Sequence, residues 1–298
     1  MDQEVYLGYI FNGDLIGAMA YLKQFPAQQE LYERYLSIFE YEKYVEYDVP
    51  AELNGILADY QSYYRDVFYL RMEKDEAATA LKRRLVMRLG CSEDDLVELE
   101  ERRIVPIFQS HGFFFMGGKT SGYYGPYVWR TAEMVRYDVD LPDGVQSYTV
   151  QLLDGFLTRS WLEFLSFGQI SPGGWTDGDG VICCVKSAWN LESEAFRVSL
   201  LKHEAQHARD LEADRQMSSE RLEYRAKLVE LICSNERNLM GRFLQEADPS
   251  DPENGHAVAA YRIVCDFTEL SGTERLLELQ IPQIQRIARE LFCIDSKI

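Results

Sequence analysis

The chain has 298 residues, of which 46% are hydrophobic and 27% charged, and this balance excludes an intrinsically disordered protein. Its 49 acidic side chains outnumber the 31 basic ones, which gives a formal charge of -18. Because such a chain repels phosphate backbones and anionic lipid surfaces, we expect neither nucleic acid nor a membrane as a partner. The length predicts two structural units.

No targeting or membrane segment is predicted. The first residues lack a basic stretch followed by an apolar run, and nowhere do about 18 apolar residues follow one another. The six cysteines are scattered without a Cys-x-x-Cys pair, as expected for reduced thiols in a cytoplasmic protein. Cys183 and Cys184 could ligate a metal, but neighbours on a strand face opposite sides.

Residues 1–105 predict a helical N-terminal domain. The predicted helices are one capped by Asp14 and closed by Pro26, one over residues 28–47, one over residues 51–89 that stops at Gly90, and one that begins at Ser92. Tyrosines at helical spacing, such as Tyr63 and Tyr64, indicate a packed core rather than a ligand cage.

Residues 106–298 predict a second domain that begins with strands. Aromatic and β-branched runs alternate with Gly, Pro and Asp-Gly turns, and Pro142-Asp143-Gly144 predicts a hairpin. We therefore expect an antiparallel sheet of three or four strands. A helix over residues 155–167 follows, and then a loop with Asp177 and Asp179, whose spacing indicates a turn and not a calcium-binding EF-hand.

The remaining elements are a strand and several helices. The strand begins at Val181 and extends toward Trp189; a helix capped by Asn190 or Ser193 then precedes a long helix over residues 219–247. A helix opened by Asp251-Pro252-Glu253 and two short helices, near Leu276 and Ile287, complete the prediction.

The most informative stretch is His203-Glu204-Ala205-Gln206-His207. Residues four apart lie on the same face of a helix, so His203 and His207 can direct two imidazoles at one zinc ion. Glu204 then lies beside that ion, where a base acting on a zinc-activated water is needed. The competing interpretation is a solvated helix face with two incidental histidines.

A catalytic zinc site requires a third protein ligand. No histidine follows at the spacing that would complete the motif, so we expect a glutamate of the following helix to bind the metal. Glu223 is the first choice because small Ala226, three residues later, permits close helix packing; Glu220 and Glu230 are the alternatives.

Together the two segments, His203 to His207 and Glu223 to Ala226, resemble the gluzincin metallopeptidases. The resemblance covers about residues 181–247 and implies an α+β fold, in which a zincin-like domain with a small antiparallel sheet packs the motif helix on a glutamate helix. It implies Zn²⁺ held by His203, His207 and Glu223, with Glu204 as general base. The strand from Val181 to Trp189 would be the edge that pairs with an extended substrate. Arg209 and the short spacing to Glu223 depart from the family pattern.

Four residues outside the expected zinc ligands and base have secondary roles to consider. Asp210 is expected either to accept the outer N–H of a ligand histidine or to be a solvated surface acid. His256 or Tyr261 is a candidate donor to the oxyanion that forms during hydrolysis. His111 is expected to be structural.

The sequence therefore predicts a zinc-dependent metallopeptidase that acts on a peptide or protein substrate. The alternative is a protein-interaction module in which the N-terminal helices bind a partner and the metal site is structural or degenerate.

Overall fold

The computed structural model describes residues 1–92, 95–176, 181–250, 252 and 254–296. The protein is α+β and mostly helical. Two compact units are formed: Met1–Thr131 with Asp154–Pro172, and Ala132–Leu153 with Gly173–Ile298. The hairpin over residues 132–153 belongs to the second unit because β6 pairs with β9, whereas the segments on either side of it belong to the first. The domain boundary expected at residues 105 and 106 stays a prediction.

The helices of the first unit are α1 (Gln3–Phe11), α2 (Leu15–Leu22), α3 (Gln29–Tyr35), α4 (Ala51–Tyr64), α5 (Lys74–Leu89), α6 (Leu96–Leu99), α7 (Val105–Ser110) and α8 (Ser160–Leu165). Those of the second unit are α9 (His203–Ala213), α10 (Ser219–Cys233), α11 (Leu239–Glu246), α12 (Gly255–Ser271) and α13 (Ile281–Asp295). Helix α1 was not expected from the sequence. Among the described residues no helix is both long enough and apolar enough to cross a membrane.

Several predicted helix ends are confirmed. The side chain of Asp14 accepts a hydrogen bond from the Gly17 amide and caps α2, and Gly90 ends α5 with a left-handed φ of +60°. The helix expected from Ser92 begins only at Leu96, because Asp95 is the residue whose side chain caps it.

Three of the expected helices were too long. The one over residues 28–47 ends after a π-helical segment, Leu36–Glu40. The one over residues 51–89 is divided after Arg65–Tyr69, where Arg71 adopts a φ of +56° that a right-handed helix cannot contain. The one over residues 219–247 is divided between α10 and α11.

The core of the first unit is rich in aromatic side chains. Tyr60, Tyr63 and Tyr64 of α4 are at most 2% exposed, which fits their interpretation as core residues. Phe68 stacks on Trp161 of α8 at 5.0 Å between ring centroids. The helix predicted over residues 155–167 is present as α8, but it is shorter than predicted and has six residues.

The strands are β1 (Phe114–Met116), β2 (Lys119–Thr120), β3 (Tyr123–Tyr124), β4 (Tyr127–Trp129), β5 (Thr131–Leu141), β6 (Gly144–Asp154), β7 (Thr158–Arg159), β8 (Gly174–Thr176) and β9 (Ile182–Val185). The first unit has a sheet of order β1-β4-β7 and a β2-β3 pair, and the second has a sheet of order β5-β6-β9-β8. The predicted hairpin is confirmed as β5 and β6.

The four-stranded sheet corrects two expectations. It is mixed, since β6 and β9 run parallel while β8 and β9 run antiparallel. The strand expected to be the free edge, Val181 to Trp189, is instead internal, because β6 and β8 occupy both sides of β9. It also ends at Val185, where a 3-10 turn over Lys186–Ala188 follows.

Helices α9, α12 and α13 pack on α10, and α9 also contacts β8 of this sheet. Their shared core includes Phe196, Leu228, Ile263 and Phe292. Asn254 caps α12, and α13 has 15 residues although a short helix was expected. The expectations for Asp177, Asp179, Asp251 and Glu253 concern positions that lie outside the described residues.

Candidate metal centre

The two histidines of the motif enter the core of the second unit on α9. A π-helical segment, Phe196–Lys202, leads directly into this helix. Just before the segment, the hydroxyl oxygen of Ser193 accepts a hydrogen bond from the Phe196 amide at 3.1 Å. Ala205 and Ala208 of α9 are buried in the hydrophobic core. This packing leaves His203 and His207 buried on one side of the helix, 7% and 9% exposed.

The rings of these histidines converge. Their Nε2 atoms lie 3.0 Å apart, and their planes are nearly perpendicular with centroids 4.6 Å apart. At most one of two facing nitrogens can donate a proton to the other, so the arrangement presents at least one imidazole lone pair to the space beside both rings.

Glu223 of α10 completes a group of three. Its Oε1 lies 3.3 Å from Nε2 of His207, and its Oε2 lies 3.4 Å from Nε2 of His203. Two ligands of a tetrahedral zinc ion, each about 2.0 to 2.1 Å from the metal, are about 3.3 Å apart. The three donor groups therefore have the spacing that a zinc ion requires.

The chemistry of the donors also fits a metal ion. The three residues are all buried, and one ligand atom from each lies within 4.8 Å of the others. Oε2 of Glu223 is buried without a hydrogen bond of normal geometry in the described part of the molecule. Burial raises the pKa of Glu223, but the nitrogens of His203, His207 and His256 beside its carboxylate outweigh burial and hold this pKa far below its usual range. A buried carboxylate of this kind is a suitable ligand for a divalent cation.

Glu230, one of the alternative third ligands, has a different role. Its Oε1 lies 2.8 Å from Nδ1 of His203, on the opposite side of the ring from Nε2. Burial lowers the pKa of His203, yet hydrogen bonds to Glu223 and Glu230 outweigh it and leave this pKa well above the usual value. Carboxylates in this position commonly orient histidine ligands of metals.

Glu220, the other alternative, faces away from the histidines toward α12. Its Oε1 pairs with Nη1 of Arg262 at 3.3 Å. Of the three glutamates, Glu223 is the one that approaches both Nε2 atoms.

Neither expectation for Asp210 holds. The residue is only 4% exposed, so it is not a solvated surface acid. It accepts hydrogen bonds from Nε of Arg225 at 2.8 Å and from Nε2 of Gln206 at 2.9 Å, rather than from a ligand histidine. Within the described residues, Nδ1 of His207 has no hydrogen-bond partner.

Of the two candidate oxyanion donors, His256 is the one that lies beside the candidate metal centre. Its Nδ1 is 2.9 Å from Oε2 of Glu223, and its ring is parallel to that of His203 at 6.4 Å. Tyr261 is 43% exposed, and its hydroxyl lies beside Cys265 of the same helix. His111 belongs to the other unit, 3.4 Å from Glu52.

Glu204, the expected base, follows His203 directly in α9 and is half-buried. Its backbone position is therefore set by the same helical turn that carries the histidines. Its catalytic role stays a prediction.

Two further charged residues adjoin the candidate metal centre, and neither was predicted from the sequence. Lys227 of α10 is 4% exposed and lies 2.6 Å from Oε2 of Glu246. The other oxygen of Glu246 is 3.9 Å from Nδ1 of His256. Lys227 comes four residues after Glu223, so helical spacing was the one available signal. Glu246 is on α11, and sequence spacing does not reveal its approach.

Two short segments carry the whole resemblance to gluzincins. In the structure, His203 to His207 lies on α9 and Glu223 to Ala226 lies on α10, where Ala226 is fully buried. Comparisons with protein-family profiles, with curated proteins and with solved structures found no match to this chain.

Proposed function

We propose that this protein is a zinc-dependent hydrolase that cleaves peptide bonds. The observation that carries the proposal is the convergence of Nε2 of His203, Nε2 of His207 and the Glu223 carboxylate at tetrahedral spacing. Two histidines and one glutamate leave the fourth position of a zinc ion open, as catalytic rather than structural zinc sites do.

Zinc bound by these residues would supply a Lewis acid that lowers the pKa of a water and polarises a carbonyl oxygen. The chain's own contribution begins with Glu204. Its carboxylate accepts a proton from the attacking water and passes that proton to the leaving amine nitrogen. Glu230 keeps the proton of His203 on Nδ1, so that Nε2 remains a ligand.

The four-stranded sheet of the second unit supports a peptide as the substrate. Because β9 is internal, the candidate substrate edge moves to β8, which ends the sheet and contacts α9. An extended peptide can add to such an edge through main-chain hydrogen bonds. A Cβ atom on Gly174 would lie 2.6 Å from the Cys183 carbonyl oxygen, so glycine permits the close approach of β8 to β9.

The proposal is tested with the full chain and a peptide library. We expect one zinc per chain and hydrolysis that a chelator abolishes and zinc restores. Glu204→Gln should retain zinc and lose hydrolysis, whereas Glu212→Gln, a matched change at an exposed position of α9, should retain both.

Two outcomes would count against the proposal. Unchanged hydrolysis by Glu204→Gln would reject Glu204 as the base. Stoichiometric zinc with no cleavage of any peptide would favour the alternative, a protein-interaction module with a structural metal site.

A further inference from the structure

A group of charged residues, of which Asp210, Arg225 and Asp295 are buried, connects α9, α10, α12 and α13 next to the metal centre. We call it the arginine cluster; its members are Asp210, Arg221, Arg225, Arg262 and Asp295. Asp295 receives Nε of Arg221 at 3.2 Å, Nη1 of Arg225 at 3.2 Å and Nη2 of Arg262 at 3.1 Å. Arg225 also donates from Nε to Asp210 at 2.8 Å.

Arg225 is the residue that links the two metal-binding helices. It is 7% exposed, and its guanidinium packs over the ring of Phe292 at 4.5 Å. The planar fork of arginine can bind carboxylates on two sides at once, which the point charge of lysine cannot do. Here it joins Asp210 of α9 to Asp295 and Ser296 at the end of α13.

The cluster lies close to the metal donors along each helix. Asp210 comes three residues after His207 on α9, and Arg225 comes two residues after Glu223 on α10. Gln206, within the motif itself, donates to the second oxygen of Asp210 at 2.9 Å. A displacement of the Asp210–Arg225 pair would thus move the helix turns that carry the ligands.

We propose that Arg225 and Asp295 are positioning residues of the metal centre. They hold α9 and α10 in the one relative placement in which the histidine Nε2 atoms meet the Glu223 carboxylate. The inference rests on the proposed metal site. It predicts that occupancy of that site and the docking of α13 stabilise each other, since a coupling between two sites is reciprocal.

A purely structural role would have a different signature. Removal of a partner from a buried ion pair destabilises a fold in any case, because it leaves an uncompensated buried charge. Loss of stability alone therefore does not test the proposal. The zinc affinity of the folded protein and the geometry of the bound metal do, because a merely structural cluster leaves both unchanged.

The experiment compares the full chain with Arg225→Lys, Asp295→Asn and the control Glu290→Gln. Glu290 is an exposed residue of α13, so its variant matches the loss of charge at Asp295 without touching the cluster. Zinc affinity is measured by competition with a chromophoric chelator, and the visible spectrum of the Co²⁺-substituted protein reports the ligand geometry. Circular dichroism verifies that each variant is folded.

We expect both cluster variants to raise the zinc Kd about tenfold or more and to alter the Co²⁺ spectrum, as substitutions behind metal ligands do. Glu290→Gln should match the wild type. Folded cluster variants with wild-type affinity and spectrum would overturn the inference while leaving the zinc site intact. A wild-type chain that binds no zinc would overturn the proposed function and the inference with it.

Should a cluster variant fail to fold, hydrogen exchange in the wild-type chain decides. Zinc is expected to slow hydrogen exchange in α13 more than in α11. Helix α11 has no residue in the arginine cluster, although its Glu246 lies near His256. Equal effects on the two helices would overturn the inference.

Discussion

Oε1 of Glu230 lies 2.8 Å from Nδ1 of His203, in the protein interior. A carboxylate at this distance holds a proton on Nδ1, so a divalent metal would bind at Nε2 by displacing the proton there. Glu230 therefore determines which nitrogen of His203 can act as a ligand.

We expect Glu230→Ala to lower zinc affinity about 10-fold to 100-fold, because the tautomer and the orientation of His203 are no longer held. Glu230→Gln should have a smaller effect, since its amide oxygen can still accept from Nδ1. Chelator competition measures both. The exposed Glu269→Gln is the control, and equal affinities of Glu230→Ala and wild type would remove this role from Glu230.

His256 and Tyr261 can be separated by kinetics. Nδ1 of His256 lies 2.9 Å from Oε2 of Glu223, whereas the hydroxyl of Tyr261 lies beside Cys265. We expect His256→Ala to keep stoichiometric zinc and to lower kcat about 100-fold, as loss of one oxyanion donor does. Tyr261→Phe should hydrolyse peptides like the wild type. The reverse order of effects would assign the donor to Tyr261.

The first unit contains a carboxyl group that makes its stability depend on pH. Glu100 is 3% exposed; burial raises its pKa to about 7, against hydrogen bonds from the Tyr60 hydroxyl and the Gly118 amide. A folded-state pKa above the unfolded value of 4.5 means that the folded chain binds more protons in this interval. The stabilisation is complete below about pH 4.5 and is lost as the pH rises through about 7.

We expect Glu100→Gln to remove this part of the pH dependence. Its amide can accept from Gly118 and donate to the oxygen of Tyr60, so both contacts are kept without a titrating group. Urea denaturation of the full chain between pH 4.5 and 8 measures the effect. If wild type and variant lose stability in parallel over that range, Glu100 is not the responsible group.

The parts of the structure that follow from local chemistry were predictable. Asp14 and Gly90 end helices through contacts within one turn, and Pro142-Asp143-Gly144 turns a hairpin whose two strands are adjacent in sequence. The pairing of His203 with His207 follows from helical spacing alone. Each of these features depends on residues at most a few positions apart.

The parts of the structure that depend on residues far apart in the sequence were not predictable. Pairing of β9 with β6 places residues more than thirty positions apart side by side, and it converts an expected edge strand into an internal one. Asp210 meets Arg225 and not a histidine, because the packing of α9 on α10 decides which side chain it reaches. Asp295 has no sequence signal, since its three arginine partners come from two other helices.

The most direct test of the metal centre is X-ray absorption at the zinc edge of the reconstituted full chain. We predict one zinc per chain with nitrogen and oxygen ligands at about 2.0 to 2.1 Å, two of them imidazoles, and no sulfur. His207→Ala should lose this zinc. A sulfur ligand at about 2.3 Å, which would implicate cysteines such as Cys183 or Cys184, or an unchanged spectrum for His207→Ala would contradict the account.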